Sequence, residues 1–421
     1  MSLKSNTMLN DVVVIGGGPA GMMAAGRAGE LGAKVALLEK NSSLGRKLLI
    51  TGKGRSNITR AEFNPKELLK KYGREGDFLL HALSTFGPKE TVDFFEKRGL
   101  KMKVERGKRI FPETDSSKDV LDILMCYLKD NNVEIKTNSE VKEIISSHGK
   151  ISKIILSSGK EISAKNYIIA TGGKVFPGTG STGAGYDWAE KLGHTVAKLR
   201  PALVPVKIKE DWPQKLQGLS LKNVELTVFQ NGKKKDSRFG ELLFTHFGLS
   251  GPIVLDLSFI VGELLERGEV KLVLDLKPAM DQQSLDKRIQ SDFIKYNNKF
   301  FKNSLDDLLP QKFIPIIIEL SGIDPFKKVN VITKKERRGL AKIFKNLKMT
   351  VSSLLGFESA IVTSGGVLLR EIDSKTMRSK LIENLFFAGE IINLHGPTGG
   401  YNLQICWSSG YLAGQSASKR K

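Results

Sequence analysis

The chain has 421 residues, 40% apolar and 26% charged, a composition close to that of ordinary soluble proteins that excludes disordered, collagenous and coiled-coil classes. Against a prior of roughly 100–200 residues per domain, the length reads as two or three domains. Lysine and arginine outnumber aspartate and glutamate by 66 to 45, for a net charge of +21, which raises nucleic acid or an anionic ligand as a partner.

The first unit reads as a βαβ: a β-branched run from Val12 to Ile15, an Ala-rich and Gly-punctuated helix from Pro19 to Leu31, and a second strand from Val35 to Glu39. Apolar spacing predicts amphipathic helices over Glu90–Arg98 and Ser117–Asn131, then strands over Glu134–Lys136, Val141–Ser146, Ile151–Ser157 and Tyr167–Ala170. From about Leu199 to Lys277 the pattern turns to alternating strands, including Val204–Lys209, Asn223–Gln230 and Val270–Leu276. Asn231-Gly232 is a hairpin signal, with Lys233, Lys234 and Lys235 at its tip. From about Pro278 the chain becomes helical, with Leu340, Ile343, Phe344 and Leu347 on one face and Lys334, Arg338, Lys342 and Lys345 on the opposite one. After Thr350 strands and glycine turns return, and a helix over about Asn402–Gln415 closes the chain.

Gly16-Gly17-Gly18-Pro19-Ala20-Gly21 directly follows the strand ending at Ile15 and opens a helix, the context that gives a GxGxxG pattern meaning. Gly16 permits a tight turn, Gly18 lets backbone approach a pyrophosphate, and Gly21 lets helix and strand pack closely. The helix N-terminus offers N–H donors and a partial positive charge to phosphates. Glu39 ends the second strand, roughly 20 residues on, where a carboxylate accepts from ribose hydroxyls and disfavours a 2′-phosphate. These residues leave NAD and FAD both open. Two distant elements favour FAD, which is long enough to need further anchoring: a buried run closing on Gly389-Glu390 and leading through Gly400 into the last helix, and a strand ending at Thr171-Gly172.

Taken together, the segments VVVIGGGPAGMMAA, LEKNSSLGRKLLITGKGRSNIT, IIATGG, GELLFTHFGLSGPIVLDLS, TSGGV, KTMRSK and NLFFAGEIINLHGPTGGYNLQICWSSG closely resemble the HI0933-like flavoproteins, a branch of the two-dinucleotide-binding-domain superfamily that includes aminoacetone oxidase-like enzymes. The resemblance implies an α/β fold: a discontinuous Rossmann-like domain, residues 1–198 with 349–421, holding non-covalent FAD, with a β-rich insert at 199–277 and a helical insert at 278–348. It implies cofactor contacts from Ile15, Gly16, Gly18, Pro19, Ala20, Gly21, Glu39, Lys40, Arg46, Lys47, Ser56, Val141, Thr171, Gly172, Gly389, Glu390, Gly400, Asn402 and Leu403. Arg46 and Lys47 suit a pyrophosphate, because paired cations give it charge-assisted hydrogen bonds.

Two departures from the family pattern stand out. Ser56 occupies a position where relatives carry cysteine, and Asn393-Leu394-His395 stands where an acid is common. His395 is a candidate proton donor or flavin-tuning cation near neutral pH. His246, in Thr245-His246-Phe247-Gly248, and Tyr186 are further catalytic candidates. A second GxGxxG at Gly178, Gly180 and Gly183 follows Pro177 instead of a β-run, so it reads as a backbone-rich loop rather than a second nucleotide site.

Cys126 and Cys406 are the two cysteines and lie far apart, which excludes a CxxC pair, a zinc cluster and a disulfide framework. The N-terminus lacks a signal-like apolar core, and no run of about 18 apolar residues occurs. A cytoplasmic protein with no membrane partner is expected. Its expected activity is an FAD-dependent oxidoreductase moving a hydride through flavin N5 to or from a small organic substrate. Oxidation of an amine or ketone by dioxygen and reduction with NAD(P)H as a transient donor both stay open. A third reading makes RNA the substrate or partner, held by the Lys334–Lys348 stretch and Lys233–Lys235.

Overall fold

The computed structural model describes residues 10–419. Tertiary contacts divide the chain into two compact units, one formed by residues up to Pro201 together with those from Ala360 onward, the other by Ala202–Ser359.

The first unit is built on a five-stranded parallel sheet in the order Leu385–Phe387, Ala164–Ile169, Asn10–Ile15, Val35–Leu38, Glu134–Lys136. Val12, Val13 and Val14 are fully buried, as a parallel strand covered on both faces requires. Register matters more for function than strand order does. Ile15 lies opposite both Leu38 and Ile169, and Ile169 lies opposite Phe387. Four strands therefore end level, and the loops that follow them emerge along one sheet edge, where open α/β sheets bind ligands.

The helix Pro19–Glu30 packs against the final helix Tyr401–Ala417. Glycine makes that approach feasible. A Cβ on Gly410 would lie 2.4 Å from the Ala20 carbonyl oxygen, and one on Gly414 would lie 2.2 Å from that of Ala24. The predicted helix at Glu90 begins earlier, at Pro88, because proline is pre-organised for a first helical position and the Glu90 carboxylate accepts from the Gly87 N–H at 3.0 Å.

The second unit contains a closed six-stranded barrel of Val206–Ile208, Gly248–Ser250, Lys233–Thr245, Ser220–Gln230, Lys271–Asp275 and Leu347–Leu354. Asn231 and Gly232 both have positive φ, 52° and 73°, and make the tight hairpin turn predicted for them. The strand Leu347–Leu354 pairs with Lys271–Asp275 on one side and Val206–Ile208 on the other. This corrects two expectations. Leu347 leaves the amphipathic helix, which spans Lys334–Lys345, and opens a barrel strand. The boundary expected at 348/349 moves to 359/360, because closing the barrel draws that strand into the insert. The division expected at 277/278 does not separate two cores either, since Leu340 and Phe344 share one apolar cluster with Leu272 and Leu274.

Among the described residues, no helix is long and apolar enough to cross a membrane, and no cluster of ligating side chains that would hold a metal ion is found.

Candidate functional site

The glycine turn after the first strand is shaped by close backbone contacts. Gly16 has φ +107° and donates its N–H to the Leu38 carbonyl at 2.8 Å, while a Cβ there would lie 2.6 Å from the Ala170 oxygen. At Gly21 a Cβ would meet the Gly16 oxygen at 1.8 Å. Gly18 differs in kind. Nothing lies within 4 Å of the position its Cβ would take, and it caps the helix without any side chain. Pro19 and Ala20 begin the helix, and no side chain caps its first turn, which leaves the N–H groups beyond the proline for an anion.

Glu39 is held at the adjoining edge. Its Oε2 accepts from the Gly17 N–H at 2.8 Å, and its Oε1 accepts from the Asn41 N–H at 2.8 Å and the Asn41 side-chain amide at 2.7 Å. Asn41 also donates to the Thr179 carbonyl at 3.1 Å, and Lys40 donates to the Thr182 hydroxyl at 2.9 Å. The Gly178–Gly183 loop is thereby tied to the Glu39 corner. Arg46 rests on the hydroxyls of Ser42 and Ser43, at 3.0 and 3.3 Å, without an ion-pair partner among the described residues.

Lys47 does something the sequence reading did not anticipate. Its ammonium lies 2.7 Å from Oε2 of Glu390, joining two expected cofactor residues to each other. The other carboxylate oxygen of Glu390 accepts from the Thr363 N–H at 2.7 Å, and its backbone carbonyl accepts from the Tyr186 hydroxyl at 3.2 Å. Gly389, just before it, donates to the Ser409 hydroxyl at 2.9 Å.

Two buried hydroxyls here, those of Ser56 and Thr171, have no hydrogen-bond partner among the described residues. Since buried polar groups are normally satisfied, each is a position where a bound group would supply the missing contact. Thr171 follows the strand Ala164–Ile169, and Gly172 comes next with φ +74°. Gly400 approaches Thr59, whose carbonyl oxygen would lie 2.4 Å from a Cβ there. Asn402 accepts from the Gly396 N–H at 2.8 Å and donates to the carbonyls of Gly396 and Pro397 at 3.0 and 3.2 Å, so its side chain shapes the last glycine loop. Leu403 is partly buried against the core, and buried Val141 pairs with Leu156 beside a bulge.

The catalytic candidates separate. His395 has its basicity lowered by burial, against the opposing pull of Glu390, so the neutral imidazole is favoured over the cation expected for tuning. Burial drives the Tyr186 phenol far up, and Glu390 adds to it, leaving a protonated hydroxyl committed to the Glu390 carbonyl. His246 lies in the second unit, exposed, with its ring 4.8 Å from that of Phe247. Burial pushes the Cys406 thiol up to about 12, so it is no thiolate nucleophile. The residues that sequence reasoning missed, Asn41, Thr363 and Ser409, act by fixing Glu39, Glu390 and Gly389. Only Asn41, next in line after a named pair, carried a local signal.

The open Gly18 cradle, the uncapped helix N-terminus, the cation Arg46, the fixed carboxylate of Glu39 and the two orphaned hydroxyls fit an adenine dinucleotide with a pyrophosphate and polar tail. Comparison with known proteins agrees. The family model for the HI0933-like protein Rossmann domain matches residues 10–416. The chain belongs to the HI0933-like family of FAD-dependent oxidoreductases. Within reach of this family, the chain is 32% identical over 416 residues to the 3-dehydro-bile acid delta(4,6)-reductase of Clostridium scindens, covering 98% of this chain and 100% of that one. It is 30% identical over 407 residues to the ribosomal RNA dihydrouridine synthase of Escherichia coli, covering 96% and 97%. In fold it is similar to 3-ketosteroid-delta4-(5alpha)-dehydrogenase from Rhodococcus jostii RHA1, with a TM-score of 0.54 at 15% identity and coverage of 100% and 99%.

Proposed function

We propose that this HI0933-like protein reduces a carbon–carbon double bond conjugated to a carbonyl, and that its substrate is a uridine in ribosomal RNA. The bond class is common to what the two relatives' names imply: the 5,6 bond of uracil and the 4,6-diene of a 3-oxo bile acid both conjugate with a carbonyl. Bound FAD would supply hydride chemistry at N5, the substrate gaining that hydride at the carbon β to the carbonyl and a proton at the α carbon, with NAD(P)H as the two-electron donor.

The chain's own residues would prepare this site. Arg46 and the Pro19–Glu30 helix N-terminus hold the pyrophosphate, Glu39 the ribose, and the Ser56 and Thr171 hydroxyls offer hydrogen bonds to the cofactor. The Lys47–Glu390 pair fixes the loop before the last helix, and neutral His395 stands near it without adding charge.

The observation that carries RNA over a small molecule is an uncompensated row of cations. On the helix Lys334–Lys345, the exposed residues Lys334, Arg338 and Lys342 recur one turn apart with Lys335 beside them, and none has an ion-pair partner among the described residues. Their neighbours are spent: Lys327 on Glu336 at 2.7 Å, Arg337 on Asp286 at 2.8 Å and Lys345 on Asp275 at 2.6 Å. A row of this kind suits a polyphosphate backbone. The test is incubation of the purified protein and NAD(P)H with ribosomal RNA lacking dihydrouridine. A nucleoside heavier by two hydrogens supports the reading, and unchanged uridine under conditions that oxidise the donor overturns it. A second reading, a free 3-oxo enone of the steroid class, draws on the relative from Clostridium scindens and predicts turnover of that compound instead.

A further inference from the structure

In the first unit, a three-stranded antiparallel ribbon places Thr59–Arg60 beside Arg109–Pro112, which pairs in turn with Met102–Glu105. Arg60 lies directly opposite Arg109 in register. Like charges opposite each other on such a pair are destabilising, so the arrangement calls for a compensating anion. Glu105 faces Arg109 across the other strand pairing, but the carboxylates near by are ion-paired with other cations: Glu62 with Lys108 at 2.9 Å, Glu105 with Arg55, and Asp115 with Arg55 and Lys103, each at 2.6 Å. Arg60 and Arg109 have no ion pair among the described residues. Arg60 instead lies over the Tyr401 ring at 5.2 Å, and Arg109 donates from Nε to the Arg106 carbonyl at 3.1 Å.

The two arginine side chains also both border Gly399. A Cβ on Gly399 would sit 3.3 Å from Nη1 of Arg60 and 3.9 Å from Cγ of Arg109. Gly399 immediately precedes Gly400 and the final helix, the loop assigned above to the cofactor. A side chain at 399 would crowd the Arg60 guanidinium and the stem of Arg109, and the φ of +108° there suits glycine.

We propose that Arg60 and Arg109 form an anion subsite at the rim of the active site, binding a phosphodiester of the RNA substrate next to the reacting nucleotide. The proposal rests on the RNA reading above and specifies where the backbone is gripped. A guanidinium offers planar, paired donors to phosphate oxygens, and two of them fix the register of a strand without reading its sequence.

The test compares wild type with Arg60→Gln, Arg109→Gln, the charge-keeping Arg60→Lys and Arg109→Lys, and Lys129→Gln as an exposed control on a remote helix. Flavin content and thermal midpoint verify folding for each. In steady-state assays with ribosomal RNA, each glutamine variant is expected to raise KM about tenfold with kcat within twofold, and to flatten the salt dependence of RNA affinity by about one cation. The lysine variants should fall between, and the control should match wild type. Unchanged KM and salt slope in folded, yellow glutamine variants overturn the subsite while leaving RNA reduction intact. A wild type that reduces no RNA overturns the function reading and this subsite with it. If KM rises for a carboxylate-bearing 3-oxo steroid and not for RNA, the anion is a small-molecule carboxylate and the phosphodiester assignment fails.

Discussion

The ammonium of Lys47 and the carboxylate of Glu390 meet at 2.7 Å, although 343 positions separate them in the chain. Lys47 belongs to the short helix Arg46–Ile50 after the second strand and Glu390 to the segment after the last strand of the parallel sheet. Their side chains are about one-fifth exposed, 21% and 16%. The pair therefore ties together the first and last segments proposed to hold the cofactor. Lys47→Met is expected to destabilise the protein by about 1–3 kcal/mol in urea unfolding, because it strands a largely buried carboxylate. The double variant Lys47→Met/Glu390→Gln should recover part of that loss. Additive losses in the double variant would mean the two groups are not coupled.

Gly18 and Gly21 separate cofactor binding from folding. Alanine at 18 meets nothing within 4 Å, so Gly18→Ala should keep the unfolding free energy within about 1 kcal/mol of wild type and yet purify with little flavin. Alanine at 21 would collide with the Gly16 carbonyl, so Gly21→Ala should lose about 3 kcal/mol or more as well as flavin. Flavin absorbance and unfolding curves of the two proteins check both statements. A fully yellow Gly18→Ala protein would remove Gly18 from the cofactor cradle.

The parallel sheet and its glycine turn were legible because their signals are local: a β-branched run, glycines in fixed spacing, and an acid at the end of the next strand. Non-local closure was not. Leu347 carries the helical apolar period and yet opens a barrel strand, since its partners, Leu274 and its neighbours, are supplied by a segment distant in sequence. The same holds for the site. Glu39 could be read from the strand it ends and Arg46 was expected from the family resemblance, whereas the capture of Lys47 by Glu390, and of Glu390 by Thr363, depends on which loops the sheet register brings level.

Acid should weaken the fold through His194. Its ring lies 3.2 Å from Glu371 and 2.9 Å from the Ser379 hydroxyl, with its edge toward Phe387 in the sheet. Burial lowers its affinity for a proton, with Glu371 opposing only in part. In the window below the ordinary value of 6.5 the unfolded chain binds a proton that the folded chain resists, so stability falls as pH falls. Thermal midpoints measured from neutral pH downward should decline across this range, and His194→Gln should flatten the decline. An equal slope in the variant would assign the effect to other groups.

The exposed cations of the second unit make a separate prediction. Replacing Lys334, Lys335, Arg338 and Lys342 by glutamine should leave flavin content and thermal midpoint near wild type, since none of the four makes an ion pair among the described residues. RNA affinity should drop, and the slope of log affinity against log salt should become shallower by about 3, from roughly 0.7 per neutralised phosphate on a single strand. Identical salt slopes for the two proteins would exclude this helix from the RNA interface.

The most direct measurement of the central claim is a single-turnover experiment without dioxygen. The yellow protein is reduced with a stoichiometric amount of NAD(P)H and mixed with ribosomal RNA free of dihydrouridine, while flavin absorbance and nucleoside mass are followed together. The account predicts return of the oxidised flavin spectrum with one uridine gaining two hydrogens per flavin reoxidised. Flavin that stays reduced in the presence of RNA, with no nucleoside of altered mass, would contradict it.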